Sequence, residues 1–154
     1  MAITVVPLDT LEAARPQVAA WRAMRTDLWP HATDTDHDRD SRLMSRDGNV
    51  VLLATANRDD AVGFAEVCRR EWANGCKTSP VAYLEAIYVR PDHRGRKVSA
   101  ALIEAAERWA AAQGFDEMAS DAVIDNAASR AAHEKWGFTE VLQVACYRKS
   151  VGAA

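Results

Sequence analysis

Two carboxylates and one run of cations carry the chemistry open to this chain of 154 residues. Glu85 interrupts the apolar run Tyr83 to Val89, Y-L-E-A-I-Y-V, and an ionised carboxylate inside such a strand is costly unless it is paired or put to use. Asp121 ends a second apolar segment, Met118 to Ala122, and ligands of open α/β sheets bind outside the carboxyl ends of their parallel strands. Both are expected to open toward one crevice, where a carboxylate binds an ammonium ion and takes its proton directly or through a water. Plainer readings stay open: Glu85 as a strand residue paired to a basic neighbour, Asp121 as a turn residue capping the next helix. The cations are His93-Arg94-Gly95-Arg96-Lys97, between Pro91 and the helical spacing of Val98, Ala101, Leu102, Ala105, Trp109 and Ala112. A strand thus feeds a helix through a basic turn. The first amides of a helix lack internal partners, so such a turn suits phosphate oxygens.

The elements that must position these groups follow from periodicity and punctuation. Ile3 to Leu8 is a short edge strand marked by Pro7, and Leu11, Ala14, Val18, Trp21, Met24 or Arg25, and Leu28 space out a first helix that Pro30 ends. The acidic stretch 31–40 begins as a loop and becomes a second helix from about Asp34, capped by Thr33 or Asp34. Asn49 to Asn57 and Ala61 to Arg69 form an antiparallel hairpin, followed by a loop over 71–80. The central strand and helix come next. A short strand Met118 to Ala122, a helix Asn126 to Trp136 stopped by Gly137, and a closing strand Val141 to Lys149 complete the order. One strand-helix-strand crossover makes the fold class mixed α/β, with parallel pairing between the strands near Glu85 and Ser120.

Composition excludes several classes. Near-average apolar (49%) and charged (27%) content without low-complexity runs predicts one globular domain over 1–154. The net charge of −3 argues against a nucleic-acid partner and favours a cationic small molecule. No window approaches the ~20 apolar residues a membrane span needs, and the first residues carry no cationic leader region, so a cytoplasmic location is expected. Cys68, Cys76 and Cys146 lack metal-type spacing and are read as reduced, mostly buried thiols. Asp34, Asp36 and Asp38 alternate as in a calcium loop, but Arg39 and Ser45 stand where that loop needs Gly and Glu, so no metal is expected.

The basic turn with its flanking strand and helix resembles the acyl-CoA pyrophosphate loop of the GNAT N-acetyltransferase superfamily. Arg94 and Val98 fit its pattern, and Ser99 is a small residue where the family has Gly or Ala. Lys97 departs from it, standing where the family usually has Gly. Further segments, N-G-C-K-T-S-P, L-E-A-I-Y-V, A-S-D, H-E-K-W-G-F and W-R-A-M-R-T-D-L-W-P, are similar to the aminoglycoside 6′-N-acetyltransferase branch and extend over nearly the whole chain. The resemblance implies a mixed, mostly antiparallel sheet with a central parallel pair splayed around acyl-CoA and flanked by helices. It implies acetyl-CoA as donor and an aminoglycoside 6′-amine as acceptor in a ternary complex, and relatives are commonly homodimers.

Carried over by position, Glu85 and Asp121 would contact the acceptor amines, with Trp21, Glu66 and Trp72 as wall residues. On their own, Trp21 reads rather as helix core, and Glu66 equally as an exposed strand residue. Ile87, Tyr88, Val89, Arg94, Gly95, Arg96, Lys97, Val98, Ser99 and Asn126 would hold the cofactor. Many GNAT enzymes place a Tyr general acid on the helix after Asn126; here His133 stands there, as proton donor or cofactor contact, and Tyr147 competes as donor. Two other readings remain: acetylation of another cationic amine, such as a polyamine or peptide N-terminus, and a non-catalytic acyl-CoA-binding domain.

Overall fold

Pro16 sets where the first helix begins. Proline pre-forms the first helical turn and pushes the residue before it into extended backbone, and Arg15 is extended at φ −76, ψ 131. Helix α1 therefore spans Pro16–Leu28, and Leu11 and Ala14, expected within it, precede it. Helix α2 (Asp34–Met44) opens on a capping box: the Thr33 hydroxyl accepts from the Asp36 amide while the Asp36 carboxylate accepts from the Thr33 amide at 2.9 Å. In this computed structural model, which describes residues 2–152, the chain divides into two compact units that meet at Asp121 and Ala122.

The first unit holds one sheet. Among the described residues its strands are β1 (Ile3–Pro7), β2 (Val50–Ala56), β3 (Asp60–Arg70), β4 (Val81–Val89) and β5 (Met118–Ser120), adjacent in that order. The first three pairings are antiparallel and the last, β4 with β5, is parallel, which agrees with the mixed sheet expected. Asn57 and Arg58, both at positive φ, form the tight turn between β2 and β3. The loop into β4 is fixed from below by Glu117, whose carboxylate accepts from the Lys77 and Thr78 amides at 2.7 and 2.6 Å.

Each face of the sheet carries its own helices. Val18, Trp21 and Met24 of α1 and Met44 of α2 pack on Val51, Leu53, Phe64, Cys68, Ala86 and Tyr88. Successive strand residues point to opposite faces, so Gly63, next to Phe64, faces away from α1. Helix α3 (Val98–Ala112) lies there: a Cβ on Gly63 would sit 3.3 Å from Val98 and 3.4 Å from Leu102. Trp21 and Phe64 are fully buried. Truncating such a side chain to Ala costs about 3–5 kcal/mol.

The second unit contains α4 (Ala127–Lys135), capped by Asn126, whose side chain accepts from the Ser129 amide at 3.0 Å, and followed by Gly137 at φ +89. The closing strand expected over Val141 to Lys149 is not formed. A strand exists by pairing, and this stretch has no ladder among the described residues; Val141, Leu142, Val144 and Tyr147 are exposed. Cys146 is exposed too, correcting the expectation of buried thiols, whereas Cys68 is buried and burial raises its pKa to about 12.

Candidate active site

An irregularity in the sheet places Glu85. Pairing between β3 and β4 runs Glu66 to Ala86 and then Val67 to Leu84, which leaves Glu85 as an extra residue on β4. A bulge of this kind breaks the alternation and re-aims one side chain. Glu85 consequently reaches solvent, correcting the expectation of a carboxylate set inside a buried strand. Its oxygens accept two bonds of 2.9 Å from Arg70 Nε and Nη2, so the paired reading of Glu85 holds geometrically. An exposed pair of this sort contributes only about 0–1 kcal/mol to stability.

Arg70 sits opposite Val81, at the fourth ladder position past that bulge, and its guanidinium runs back over the Tyr83 ring with Cζ 3.5 Å from the centroid. The Tyr83 hydroxyl donates to Asp121 Oδ2. Asp121, Tyr83, Arg70 and Glu85 therefore form one continuous chain of contacts. Burial, with the hydrogen bond to Asp121 and its charge, pushes the Tyr83 hydroxyl well above its ordinary range, so it remains a donor at neutral pH. Asp121 directly follows β5, at the carboxyl end of the parallel pair. The cap of α4 is Asn126, which removes the capping role considered for Asp121.

A cleft of about 520 Å³ opens on the α1 and α2 side, with Asp36, Asp40, Glu66 and Glu85 among its walls. Each of these carboxylates has an arginine partner. Arg39 holds Asp36 and Asp40 at 3.1 Å, Arg70 holds Glu85, and Arg25 holds Asp40 and Glu66. Glu66 is 4% exposed, which removes the alternative reading of an exposed strand residue, because it shares the α1-covered face with Phe64 and Cys68. It accepts from Trp21 Nε1 at 3.0 Å, which places Trp21 in the core with only its indole nitrogen turned to the acidic floor. Burial pushes the Glu66 carboxyl up, against the opposing pull of Arg25 and Trp21. Arg25 also lies 4.6 Å over Trp29, and its Nε donates to His37 Nδ1 at 3.4 Å, leaving the His37 Nε2 proton for Thr26 Oγ1 at 3.1 Å. Trp72 is 68% exposed in its loop and lines no part of this cleft.

The basic turn lies past the end of β4. Strand β5 ends at Ser120, opposite Leu84, while β4 runs on to Val89, so Ile87, Tyr88 and Val89 extend beyond the parallel pairing. Tyr88 is buried, its ring 6.0 Å from Phe64, so it faces the α1 core and its neighbours Ile87 and Val89 face the other way. A 3₁₀ turn (Pro91–His93) leads to Arg94, whose Nε donates to the Val89 carbonyl at 3.1 Å. Gly95 has φ +73 and open space where a Cβ would project. Lys97 adopts φ 64, ψ 12, the left-handed conformation that glycine favours, and caps α3 with its backbone alone. Arg96 and Ser99 flank it, and Val98 is buried. The backbone thus keeps the turn that the usual glycine would allow, and the loop suits an anionic carrier.

In the second unit, His133 Nδ1 lies 2.7 Å from the Ser129 carbonyl and its ring packs at 5.2 Å from Trp136 and 5.4 Å from Phe138. Tyr147 is 94% exposed. Arg70, Tyr83 and Arg25 are absent from the residues singled out by sequence. Tyr83 had a signal, since it stands two residues before Glu85 on the same strand.

The family model of the GNAT acetyltransferases matches residues 17–138. Aminoglycoside N(6′)-acetyltransferase type 1 of Klebsiella aerogenes is 41% identical over 150 residues, covering 94% of this chain and 95% of that protein. The structure of AAC(6′)-Iy in complex with the bisubstrate analogue CoA-S-monomethyl-acetylneamine is similar at a TM-score of 0.89 and 34% identity, covering 97% of this chain and 99% of that one. AAC(6′)-Iy in complex with CoA gives a TM-score of 0.87 at 35% identity, over 96% and 95% of the two chains. With its central parallel pair, basic turn and family match over most of its length, this chain belongs to the GNAT acetyltransferase family.

Proposed function

We propose that this protein is an acetyl-CoA-dependent aminoglycoside 6′-N-acetyltransferase in which Glu85 and Asp121 handle the acceptor amine. The observation that carries the reading is the chain Glu85, Arg70, Tyr83, Asp121, set beside an acidic cleft at the carboxyl end of the parallel strands. The activity itself is supported by relatives of that name at 34–41% identity and by CoA-bound neighbours of the same fold.

Arg94, Gly95, Arg96, Lys97 and Ser99 would hold the pyrophosphate, with amides at the start of α3. Bound acetyl-CoA supplies a thioester carbonyl, and backbone N–H groups near Ile87 to Val89 would polarise it. At neutral pH a primary amine arrives as ammonium. Asp121 and Glu85 bind that cation and, directly or through water, take the proton that must leave before nitrogen attacks. The carbon–nitrogen bond then forms as the carbon–sulfur bond breaks, without an acyl-enzyme. Tyr147 is assigned to protonate the departing thiolate, and Asn126 and His133 to the cofactor; of the wall residues assigned, Glu66 lines the cleft, Trp21 supports it from the core, and Trp72 stands outside it.

A homodimer and a cytoplasmic location belong to the same proposal. The apolar, unladdered stretch Val141 to Lys149 supports the dimer, since it carries strand composition and exposes Val141, Leu142 and Val144. Sedimentation at micromolar concentration tests it: a monomer would contradict it. No helix among the described residues is long and apolar enough to cross a membrane.

The test is calorimetric titration with acetyl-CoA, followed by thiol release with kanamycin or spermidine. Thiol release with kanamycin well above that with spermidine is expected. Spermidine as the better acceptor would favour a polyamine enzyme, and binding without turnover of either amine an acyl-CoA sensor.

A further inference from the structure

Arg70 performs, within the chain, the two contacts a cationic guest would make. Its guanidinium forks onto Glu85 through two 2.9 Å bonds and lies 3.5 Å over the Tyr83 face, whose hydroxyl holds Asp121. Nothing in the strand pairing requires this. Arg70 stands opposite Val81, and Tyr83 opposite Cys68, so the side chain folds back along the sheet to reach the bulged carboxylate.

The cleft contains a second arginine of the opposite character. Arg25 has a side chain 4% exposed, holds Glu66 and Asp40, and stacks on Trp29. It is part of the core and cannot leave. Arg70 has a side chain 42% exposed, and among the described residues its ion-pair partner is Glu85, itself solvent-accessible. Releasing it gives up one exposed pair and one cation–π contact, both weak in water.

We infer that Arg70 is an internal counter-ion that occupies Glu85 until a guest ammonium displaces it, and thereby sets the affinity threshold an amine must pass to be acetylated. The inference rests on the acetyltransferase reading above for the identity of the guest. A tethered guanidinium competes at the effective concentration its short stem imposes, so every guest that takes Glu85 is penalised by one common factor. A monoamine has only this contact and falls below the threshold. A polycation that also pairs with Asp36 or Asp40, displacing the exposed Arg39, still binds. The common penalty leaves the ratio of guest affinities unchanged and sets the concentration each guest needs, so the preference for a polycation comes from its added pairing at Asp36 or Asp40 and the built-in competitor decides which guests fall below the threshold.

Arg70→Gln and Arg70→Ala test this, with kanamycin and cyclohexylamine titrated calorimetrically in the presence of CoA and their KM and kcat measured by thiol release. Both variants are expected to bind kanamycin about three- to tenfold more tightly, from the loss of one weak ion pair and one cation–π contact. KM should fall in the same proportion, the salt dependence of binding should steepen because Glu85 is left unpaired, and cyclohexylamine should become a measurable guest. Unchanged or weaker kanamycin binding in both variants overturns the inference, as does a fall in kcat with unchanged KM, which would make Arg70 a positioning residue for Glu85. Failure of wild type and variants alike to bind kanamycin also overturns it. If the wild type binds kanamycin and CoA but releases no thiol, the acetyltransferase reading fails while the binding comparison still decides the role of Arg70.

Discussion

Arg25→Met is expected to be among the most damaging single changes at the cleft. Arg25 is 3% exposed, and its guanidinium pairs with the carboxylate of Glu66, a residue 4% exposed. Removing the cation leaves Glu66 buried with the Trp21 N–H as its one remaining side-chain donor among the described residues, and breaking a buried pair from one side costs about 3–5 kcal/mol. For a chain of this size that is a fall in Tm of very roughly 6–20 °C. The double variant Arg25→Met/Glu66→Met removes both charges and keeps the volume, so it should recover most of the loss, leaving about 1–2 kcal/mol for the freed Trp21 donor and for Asp40. Urea unfolding of the two single variants and the double completes the cycle. A double variant as unstable as Arg25→Met, or less stable, would refute the electrostatic reasoning and point to the stacking on Trp29 instead.

Three further outcomes follow from the geometry. Gly63→Ala should destabilise by about 1–3 kcal/mol and weaken CoA binding, because the new Cβ would lie 2.7 Å from the Tyr88 carbonyl between β4 and α3; urea unfolding and CoA titration read both. Lys97→Val should lose about 1–2 kcal/mol, since a β-branched residue resists φ +64, whereas Lys97→Gly should be no less stable than wild type; equal melting of the Val variant and wild type would contradict this. Burial, then Arg25 and Arg22, holds His37 below its ordinary 6.5. On acidification the unfolded chain therefore takes up its proton first, so the stability present above about pH 6.5 is lost as pH falls toward the folded value. Melting of His37→Gln should depend less on pH between about 7 and 5 than that of wild type.

Much of the fold was legible because it rests on local chemistry. Thr33 caps α2, Gly137 ends α4, and the strand, basic turn and helix around Tyr83 to Leu102 follow from period alone, whereas the start of α1 at Pro16 does not show in apolar spacing, which runs on through Leu11 and Ala14. The misread features depend on pairing. Alternation within β3 does not say which face is covered, so both a wall position and an exposed one stay open for Glu66. Glu85 owes its orientation to a bulge, a property of two strands together. Val141 to Lys149 has strand composition, yet composition cannot supply a ladder. Arg70 was missed because its role comes from a side chain folded back along the sheet, a path no spacing rule describes.

The account stands on the two carboxylates at the mouth of the parallel pair. Thiol release from acetyl-CoA with kanamycin, measured on wild type, Glu85→Gln and Asp121→Asn with CoA affinity titrated on the same preparations, tests it most directly. The prediction is turnover by the wild type, a loss of about 10²-fold or more in the variants, and CoA affinity retained. Equal loss of turnover and CoA binding would make the carboxylates structural, and full turnover in both variants would contradict the account.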